Sequence, residues 1–404
     1  MAIDTAAIDA AIRQAVADPY TGLPRAIAIA STRDDEVYRG LGGWAQLPQD
    51  PAKLEEEGVP IEADSVFELY SSTKLAGTVA MLQLLEQGKL SLDDDASQYV
   101  PELKTVKIFK GFDDQGELVL EDNDVPITIR QLATHTAGFA YYFYDPRIPK
   151  VAEKLGVQTT PYMKDGTRND LVQMPLLSKP GEHFKYGTGI DWLTLVVEAI
   201  SSLPLEQYFQ QHIFGPLGIT DISFKANPSQ ISIAHATEDG KWRFEAPPAM
   251  NEKAGFGGAG LKGSAPSWVR LLRALLRGGE LDGARILKQE TVDLMFEEHL
   301  TNDQQRADFG VFGTNDQEPF TRKAGKPLPD MTFGLGGGLS GKGVASGRGA
   351  RTLTWSGMAN TYWWVDRERG VCAVVWTNVL PFGAQAIHDL WVVFETELYK
   401  GLPA

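Results

Sequence analysis

The sequence predicts an α/β (α+β) fold in which one antiparallel sheet, flanked by helices, is built from both ends of the chain. Two strands joined by a short polar turn lie near the amino end, and three more lie near the carboxyl end. Between them the hydrophobic pattern is mainly helical, with long loops. We therefore expect an α/β domain made from residues 1–70 plus 256–404, with a mainly helical domain of residues 71–255 inserted into it.

The amino-terminal elements are a helix, a hairpin and a loop. Apolar residues at helical spacing predict a helix over residues 4–17. Residues 25–30 and 36–40 have the composition of strands, and the polar turn at residues 33–35 joins them in a hairpin. Residues 45–64 are rich in Pro and Glu and predict a surface loop.

The middle of the chain predicts a series of helices, each with apolar residues at helical spacing and several ended by Gly or Pro. These helices span residues 71–88, 129–135, 191–202, 205–213, 267–277 and 288–298. The chain then returns to strands after a Gly-rich stretch. The predicted strands span residues 352–355, 361–365 and 371–378, and a helix over residues 384–399 closes the chain.

The composition, 43% hydrophobic and 23% charged, is that of a globular protein with a sizeable core. The net charge of −15 argues against a nucleic acid or an anionic membrane as partner, since both require basic patches. Cys372 is the single cysteine and no His pair has ligand spacing, so we expect no disulfide, no metal and no cofactor. The start of the chain lacks the pattern of a signal peptide and no apolar stretch approaches membrane-spanning length, which predicts a cytoplasmic protein.

The first chemical motif is the S-x-x-K spacing of Ser71 and Lys74 at the start of a predicted helix. Positions i and i+3 share one face of a helix, so the hydroxyl lies beside the amine. A serine becomes nucleophilic when a nearby base takes its proton, and an uncharged lysine can be that base. The alternative is a helix-capping serine followed by a solvated lysine. Only Ser71 stands three residues before Lys74, so we predict Ser71, and not Ser72, as the nucleophile.

The second motif is Tyr186, on a glycine-flanked turn directly before a helix. A phenolate held between cations is a competent general base, and the neutral phenol is a general acid. The alternative is a tyrosine that anchors a loop to the core. A nearby aromatic run that includes Tyr141 and Tyr142 is interpreted as either core or the wall of an acyl pocket, and we take both residues as candidate substrate contacts.

The third motif is formed by Trp355, Ser356 and Gly357 at the end of a predicted strand. Gly357 has no side chain, so a substrate can approach the backbone closely there. We predict that the backbone N–H groups of Met358 and Ser71 together form an oxyanion hole. The alternative is a glycine bulge in a sheet.

In this order, the three motifs resemble those of the serine esterases and transesterases related to class C β-lactamases and penicillin-binding proteins. That family carries S-x-x-K at a helix start, a Tyr motif about a hundred residues later and a Lys-Thr-Gly or Trp/His-x-Gly strand near the C-terminus. Here the corresponding positions are residues 71–74, 186–188 and 355–357. Further similar stretches are residues 132–138, 180–182 and 216–221, and the resemblance covers nearly the whole chain.

The resemblance implies a β-lactamase-like fold with Ser71, Lys74 and Tyr186 in a cleft between the two domains. Ser71 would attack an acyl carbonyl while Lys74 and Tyr186 share its proton. Two positions depart from the β-lactamase pattern, since Thr188 replaces an Asn and Trp355 replaces a Lys. Loss of that lysine removes a cation that helps to hold a substrate carboxylate, which favours uncharged ester or thioester substrates.

We therefore predict a serine carboxylic ester hydrolase or transesterase that uses small-molecule esters or thioesters, with water or an alcohol as acceptor. Three alternatives remain open at this point. The first is an acyltransferase of secondary metabolism with an alcohol acceptor, and the second is a β-lactamase or peptidase. The third is a catalytically silent homologue that binds ligands, although such proteins usually lose the Ser or the Lys that this chain keeps.

Overall fold

The structure is a computed structural model that describes residues 3–162, 165–227, 229–237, 240–246, 255–310 and 331–402. Its helices are α1 (Thr5–Ala15), α2 (Leu54–Glu57), α3 (Thr73–Glu86), α4 (Ile129–Ala133), α5 (Ile148–Leu155), α6 (Arg168–Gln173), α7 (Gly189–Ser201), α8 (Leu205–Phe209), α9 (Ala265–Leu276), α10 (Gln289–Met295), α11 (Asp303–Gly310) and α12 (Gln385–Gly401). Its strands are β1 (Arg25–Thr32), β2 (Glu36–Gln46), β3 (Val59–Pro60), β4 (Phe67–Glu68), β5 (Lys107–Phe112), β6 (Leu118–Asp122), β7 (Ile233–Ala236), β8 (Trp242–Glu245), β9 (Lys262–Gly263), β10 (Glu280–Leu281), β11 (Ala284–Arg285), β12 (Met331–Phe333), β13 (Gly338–Ser340), β14 (Leu353–Gly357), β15 (Thr361–Asp366), β16 (Val371–Trp376) and β17 (Val379–Leu380).

The main sheet joins the two ends of the chain, as the sequence predicts. Within the described residues it has eight antiparallel strands in the order β12-β13-β14-β15-β16-β1-β2-β3. The central pairing is between β16 and β1, where Ala28 lies opposite Val375. The strands β1, β15 and β16 are almost entirely buried, because helices cover both faces of the sheet.

Each face of the sheet has its own helical cover. On one face, Ile12 of α1 and Phe394 of α12 pack in one cluster with Trp364 of β15. On the other face, Trp268 of α9 belongs to the large cluster that also holds Cys372. The thiol of Cys372 is fully buried, and burial raises its pKa to about 12, in accord with an inert core cysteine.

The helix α3 is the centre of the second layer and carries the S-x-x-K motif at its start. Residues from Thr73 to Leu84 are all buried, so the helix is covered on every side by neighbouring elements. Each fully buried Leu or Val on it contributes roughly 1.5–3 kcal/mol relative to exposure. Among its neighbours are α7 and α8, which together with α4 form the helical packing around the motif. A helix fixed in this way holds Lys74 with little freedom.

Two hairpins interrupt the region predicted to be mainly helical. The strands β5 and β6 pair with each other, and β7 and β8 form a small sheet with β17. The outer strand β6 is mostly exposed, so its sequence lacks the alternation that marks a half-buried strand. Because β17 follows the main sheet while β7 and β8 precede residue 256, this small sheet crosses the predicted domain boundary. The boundary itself remains a prediction.

The stretch predicted as a surface loop at residues 45–64 is only partly irregular. It contains the short helix α2 and the strand β3, which pairs with β2 at the edge of the main sheet. Three glutamates in the first turn of α2 are favoured there by the positive end of the helix dipole. In the part of the chain that the structure describes, no helix is long and apolar enough to cross a membrane, and no cluster of His, Cys, Asp or Glu could hold a metal ion.

Candidate active site

Ser71 lies on a strained turn immediately before α3. The turn is a single 3₁₀ segment, Tyr70–Ser72. Tyr70 has a φ of 44°, in the left-handed region where a residue other than glycine costs about 1–3 kcal/mol. Packing maintains this backbone, because the Tyr70 side chain is buried in a cluster with Ile233 and Ala359. The turn is therefore held by tertiary contacts, and Ser71 lines a cavity.

The two adjacent serines have different surroundings. The hydroxyl of Ser72 is fully buried and donates to the carbonyl oxygen of Thr361 at 3.2 Å. The Oγ of Ser71 lies 3.2 Å from the Nζ of Lys74 and faces the cavity. Ser71 thus has both a base and access to a substrate, whereas Ser72 anchors the turn to β15.

Lys74 is buried, and its amine has three oxygen neighbours. Nζ lies 2.6 Å from the carbonyl oxygen of Gly258, 3.0 Å from the hydroxyl of Tyr141 and 3.2 Å from Ser71 Oγ. A neutral amine carries two N–H groups and one lone pair. If the N–H groups donate to Gly258 and Tyr141, the lone pair is left for the proton of Ser71. The geometry therefore suits an uncharged lysine that acts as a base.

The electrostatics of the site also favour a neutral amine. Burial lowers the pKa of Lys74, because an ammonium ion loses hydration there, while the nearby carboxylate of Asp191 partly opposes this shift. Burial also raises the pKa of Asp191, and Lys74 partly opposes that shift. Each charge therefore stabilises the charged form of the other group. Burial has the larger effect, so both groups are more readily neutral than they are in water.

Asp191 and Gly258 complete a closed network behind Lys74. Asp191 Oδ1 accepts the N–H of Gly258 at 2.9 Å, and Oδ2 accepts the hydroxyl of Tyr141 at 3.4 Å. A side chain at Gly258 would place its Cβ 2.3 Å from Asp191 Oδ2, so only glycine fits this approach. Because Gly258 and Tyr141 also contact Lys74, the carboxylate fixes both partners of the amine.

Tyr186 is fully buried in an aromatic cluster beside Lys74. Its ring centroid lies 5.0 Å from Lys74 Nζ, and its hydroxyl accepts the indole N–H of Trp355 at 3.3 Å. The rings of His135 and Tyr141 pack against it at 4.7 and 5.1 Å. Burial lowers the pKa of His135, so this imidazole is a neutral neighbour and not a second cation. The structure thus brings the three predicted catalytic side chains together.

The third motif occupies the predicted strand, but its side chains do not have the predicted contacts. Trp355 packs on Tyr186 and on Phe333 instead of lining the cavity. Ser356 lies opposite Tyr362 on the other face of β14, away from Trp355, because strand side chains alternate. Trp355 and Ser356 thus lie outside the described lining of the cavity, and their role as substrate contacts stays a prediction. The indole N–H of Trp355 donates to the hydroxyl of Tyr186.

Gly357 permits a close approach, and the group that approaches it is a backbone carbonyl of the protein itself. A Cβ on Gly357 would lie 2.2 Å from the carbonyl oxygen of Leu69, two residues before Ser71. The hydroxyl of Thr361 accepts the N–H of Gly357 at 3.1 Å and lies 3.4 Å from the same Leu69 carbonyl. Gly357 therefore joins the end of β14 to the turn of the nucleophile, which corrects its expected role as a place for substrate.

The cavity beside Ser71 has a volume of about 340 Å³ and is mainly aromatic and apolar. Its lining residues are Tyr70, Ser71, Tyr142, Phe143, Thr159, Thr160, Tyr162, His235, Glu245, Ala246, Ala259, Met358 and Leu380. Met358 lines the same cavity as Ser71, and its turn is closed by the N–H of Asn360, which donates to Gly357 at 3.0 Å. The oxyanion hole formed by the N–H groups of Ser71 and Met358 stays a prediction.

The two tyrosines of the aromatic run have separate locations. Tyr142 lines the cavity, and its role as a substrate contact stays a prediction. Tyr141 is buried, and its hydroxyl contacts Lys74, so it belongs to the proton network and not to the cavity wall. Sequence reasoning missed Asp191 and Gly258 altogether. A charged residue in the first turn of the otherwise apolar α7 was an available signal for Asp191.

Comparison with known proteins places these features in context. The model of the beta-lactamase family matches residues 8–398. A lovastatin esterase of Penicillium rubens is 34% identical over 363 residues, which cover 86% of this chain and 88% of that protein. A monacolin J acid methylbutanoyltransferase of Aspergillus terreus is 31% identical, with 84% of this chain and 83% of that protein covered.

The fold has a similar counterpart among solved structures. A mutant of the simvastatin synthase from Aspergillus terreus superposes with a TM-score of 0.82 at 28% sequence identity. The superposition covers 97% of this chain and 96% of that one. The similarity therefore includes the sheet built from both ends of the chain as well as the helices around Ser71.

Proposed function

The chain belongs to the beta-lactamase family, and we propose that it is a serine esterase and transesterase that forms an acyl-enzyme on Ser71. The family, the fold and the class of serine hydrolase predicted from the sequence are confirmed by the family match and by the relatives. The alternative of a catalytically silent homologue therefore loses its support. The roles of single residues and the choice of substrate are our proposal.

The observation that carries the proposal is the arrangement around Lys74 Nζ. In the first half-reaction Lys74 takes the proton of Ser71 as Oγ attacks the acyl carbonyl. The N–H groups of Ser71 and Met358 stabilise the oxyanion, and the proton passes to the leaving alcohol or thiol as the bond to the acyl carbon breaks. Tyr186 stands beside Lys74 and shares the transfer of this proton.

In the second half-reaction, water or an alcohol replaces the leaving group. The acceptor loses its proton to the Lys74 and Tyr186 unit as its oxygen attacks the acyl carbon, and the proton returns to Ser71 Oγ as the ester bond breaks. Hydrolysis and acyl transfer therefore share one set of residues. The names of the two relatives, an esterase and an acyltransferase, support the view that this fold serves both outcomes.

The cavity favours uncharged substrates. Its lining contains four Tyr or Phe rings and, among the described residues, neither Lys nor Arg. A carboxylate that enters such a cavity loses water and meets no Lys or Arg among the described lining residues, which is costly. We therefore propose neutral esters or thioesters of small to medium acyl groups as donors, with alcohols as acceptors beside water. A cytoplasmic location remains a prediction.

The test is a burst assay with p-nitrophenyl esters of increasing acyl length, with and without an added alcohol. We expect a burst of nitrophenol equal to one acyl group per enzyme and, on Ser71, a single adduct located by peptide mass spectrometry. Ser71→Ala should lose the burst, whereas the matched variant Ser72→Ala should keep it. An adduct on Ser72, or full turnover by Ser71→Ala, would contradict the assignment.

A further inference from the structure

A second polar group faces the cavity, on an element that the mechanism above does not use. His235 and Glu245 line the cavity together with Ser71 and come from the paired strands β7 and β8. His235 Nε2 lies 3.2 Å from Glu245 Oε2. The remaining lining consists of aromatic and aliphatic side chains and hydroxyls, so this pair is a concentrated polar feature in a largely apolar space.

Glu245 is partly exposed and has a polar partner on each side. Its Oε1 pairs with the guanidinium of Arg243 at 2.7 Å, while its Oε2 faces His235. Side chains two residues apart lie on the same face of a strand, so Arg243 and Glu245 share one face of β8. His235 lies opposite Arg243 in the pairing of β7 with β8. A carboxylate held by an arginine orients the imidazole and favours the tautomer that donates from Nε2.

The register of β7 sets the distance of His235 from the nucleophile. Ile233 lies two residues earlier on the same face of the strand and packs in the cluster of Tyr70, next to Ser71. Two residues along a strand correspond to about 7 Å. His235 is therefore displaced along the cavity wall from the nucleophile turn. It is placed to meet a part of the substrate other than the reacting carbonyl.

We propose that His235, oriented by Glu245, is a specificity-determining residue that hydrogen-bonds a second oxygen of the acceptor. The acceptor class is an alcohol that carries another hydroxyl several atoms away from the reacting one. This inference rests on the proposed function, since it assumes transfer of an acyl group from Ser71. Apolar pockets commonly use a few placed polar groups to orient a ligand, and an imidazole is able to donate to or accept from a hydroxyl.

The test compares acceptors of matched size on a common acyl-enzyme. The donor is p-nitrophenyl butyrate, and the acceptor pairs are 1,3-propanediol with 1-butanol, 1,4-butanediol with 1-pentanol, and 1,6-hexanediol with 1-heptanol. The readout is the ratio of diol ester to monoalcohol ester, measured by chromatography within each variant. This ratio cancels changes in the rate of acylation and in the amount of folded protein.

We expect one diol length to be preferred by the unmodified enzyme, and the ratio for that pair to fall roughly tenfold in His235→Phe, as for loss of one hydrogen bond. His235→Gln keeps a polar group and should retain part of the preference, which also serves if the Phe variant does not fold. Glu245→Ala should lower the ratio and Glu245→Gln should restore part of it, as expected of a positioning residue. The control is His388→Gln, because His388 lies on α12 and is not among the described lining residues of the cavity.

The outcomes separate this inference from the proposed function. Absence of a burst on Ser71 in the unmodified enzyme would overturn the acyl-enzyme itself. A normal burst with the same diol to monoalcohol ratio in the unmodified enzyme, His235→Phe and His235→Gln would overturn only the role of His235. A ratio that falls equally in His388→Gln would also overturn it, because the effect would not be specific to the cavity.

Discussion

At the scale of single residues, the proposed chemistry depends on the environment of the Lys74 amine. Lys74 keeps its polar contacts while it loses nearly all contact with water. Burial lowers its pKa, and the charge of Asp191 limits this shift. A lysine in such a place is a base at neutral pH, whereas an exposed lysine is almost wholly protonated there.

The pH dependence of the reaction follows from the direction of this shift. Lys74 is active when unprotonated, so kcat/KM should rise with pH as its proton is lost. Because its folded pKa is lowered, the rise should end well below pH 10.4, about the pKa of free lysine. The measurement is the pH profile of kcat/KM for p-nitrophenyl acetate, corrected for spontaneous hydrolysis. A rise that continues to pH 10 would mean that Lys74 is not the base or is not desolvated.

Asp191→Asn tests whether the carboxylate of Asp191 raises the pKa of Lys74. The carboxylate raises the pKa of Lys74, so its removal should lower that pKa further and move the acid limb of the profile to lower pH. The Asn side chain can still accept the N–H of Gly258, which limits structural damage. A limb that stays in place, or moves to higher pH, would show that Asp191 does not act electrostatically on Lys74.

Lys74 and Tyr186 should behave as one proton-transfer unit. We expect Lys74→Ala and Tyr186→Phe each to reduce kcat by roughly 10²-fold or more, the scale of general acid–base catalysis. Residues that act as a unit are non-additive, so the double variant should be little worse than either single one. The kcat values of the three folded variants decide this. Losses that multiply in the double variant would indicate separate roles.

At the scale of elements, the loop before β9 serves the site as much as the helices do. Its residue Gly258 contacts Lys74 through the carbonyl and Asp191 through the N–H. Its neighbour Gly257 donates to Thr194 Oγ1 of α7 at 3.0 Å. The loop therefore lies against one face of α7, and its contacts with that helix fix the carbonyl that the Lys74 amine contacts.

Gly258→Ala should separate activity from stability. The added Cβ would lie 2.3 Å from Asp191 Oδ2, so the loop and the carboxylate must move apart. We expect a loss in kcat of roughly 10²-fold, as for other misplaced catalytic groups, with a folded protein by circular dichroism. Gly310→Ala is the matched control, because no atom of the described residues lies within 4 Å of an added Cβ there, and its activity should be unchanged. Wild-type kcat in Gly258→Ala would remove this loop from the mechanism.

Local patterns in the sequence were sufficient for most elements but not for the network around the amine. The helical spacing of Leu75, Val79 and Leu82 predicts α3, and the apolar run around Cys372 predicts β16. The partners of Lys74 come from distant positions, and Gly258 is 184 residues away along the chain. No local pattern encodes such a contact. For the same reason the sequence predicted a close approach of substrate at Gly357, whereas the structure places the Leu69 carbonyl there.

At the scale of the whole molecule, charge and cavity chemistry act in the same direction. A net charge of −15 gives no long-range attraction to an anion, and the described cavity lining offers neither Lys nor Arg. Trp355, where β-lactamases have a lysine, is engaged with Tyr186. Among the described residues, these features give a substrate carboxylate no Lys or Arg partner in the cavity, which is the basis of the following prediction.

Neutral esters should accordingly be turned over much faster than β-lactams. The measurement is kcat/KM for a short-chain p-nitrophenyl ester against that for a chromogenic cephalosporin. Trp355→Lys adds a cation beside Tyr186 and should shift the balance toward the cephalosporin in whatever fraction folds. Efficient cephalosporin turnover by the unmodified protein, with negligible ester cleavage, would restore the β-lactamase alternative.

The pairing of β1 with β16 also affects how the protein is made. The strand β1 ends at Thr32, whereas β16 begins at Val371. A ribosome that adds roughly 5–20 residues per second completes β1 tens of seconds before its partner. During that time the apolar side chains of β1 and one of its edges lack their partner strand. Nascent chains released before Val371 should therefore aggregate, and supply of this enzyme in a cell depends on protection during translation.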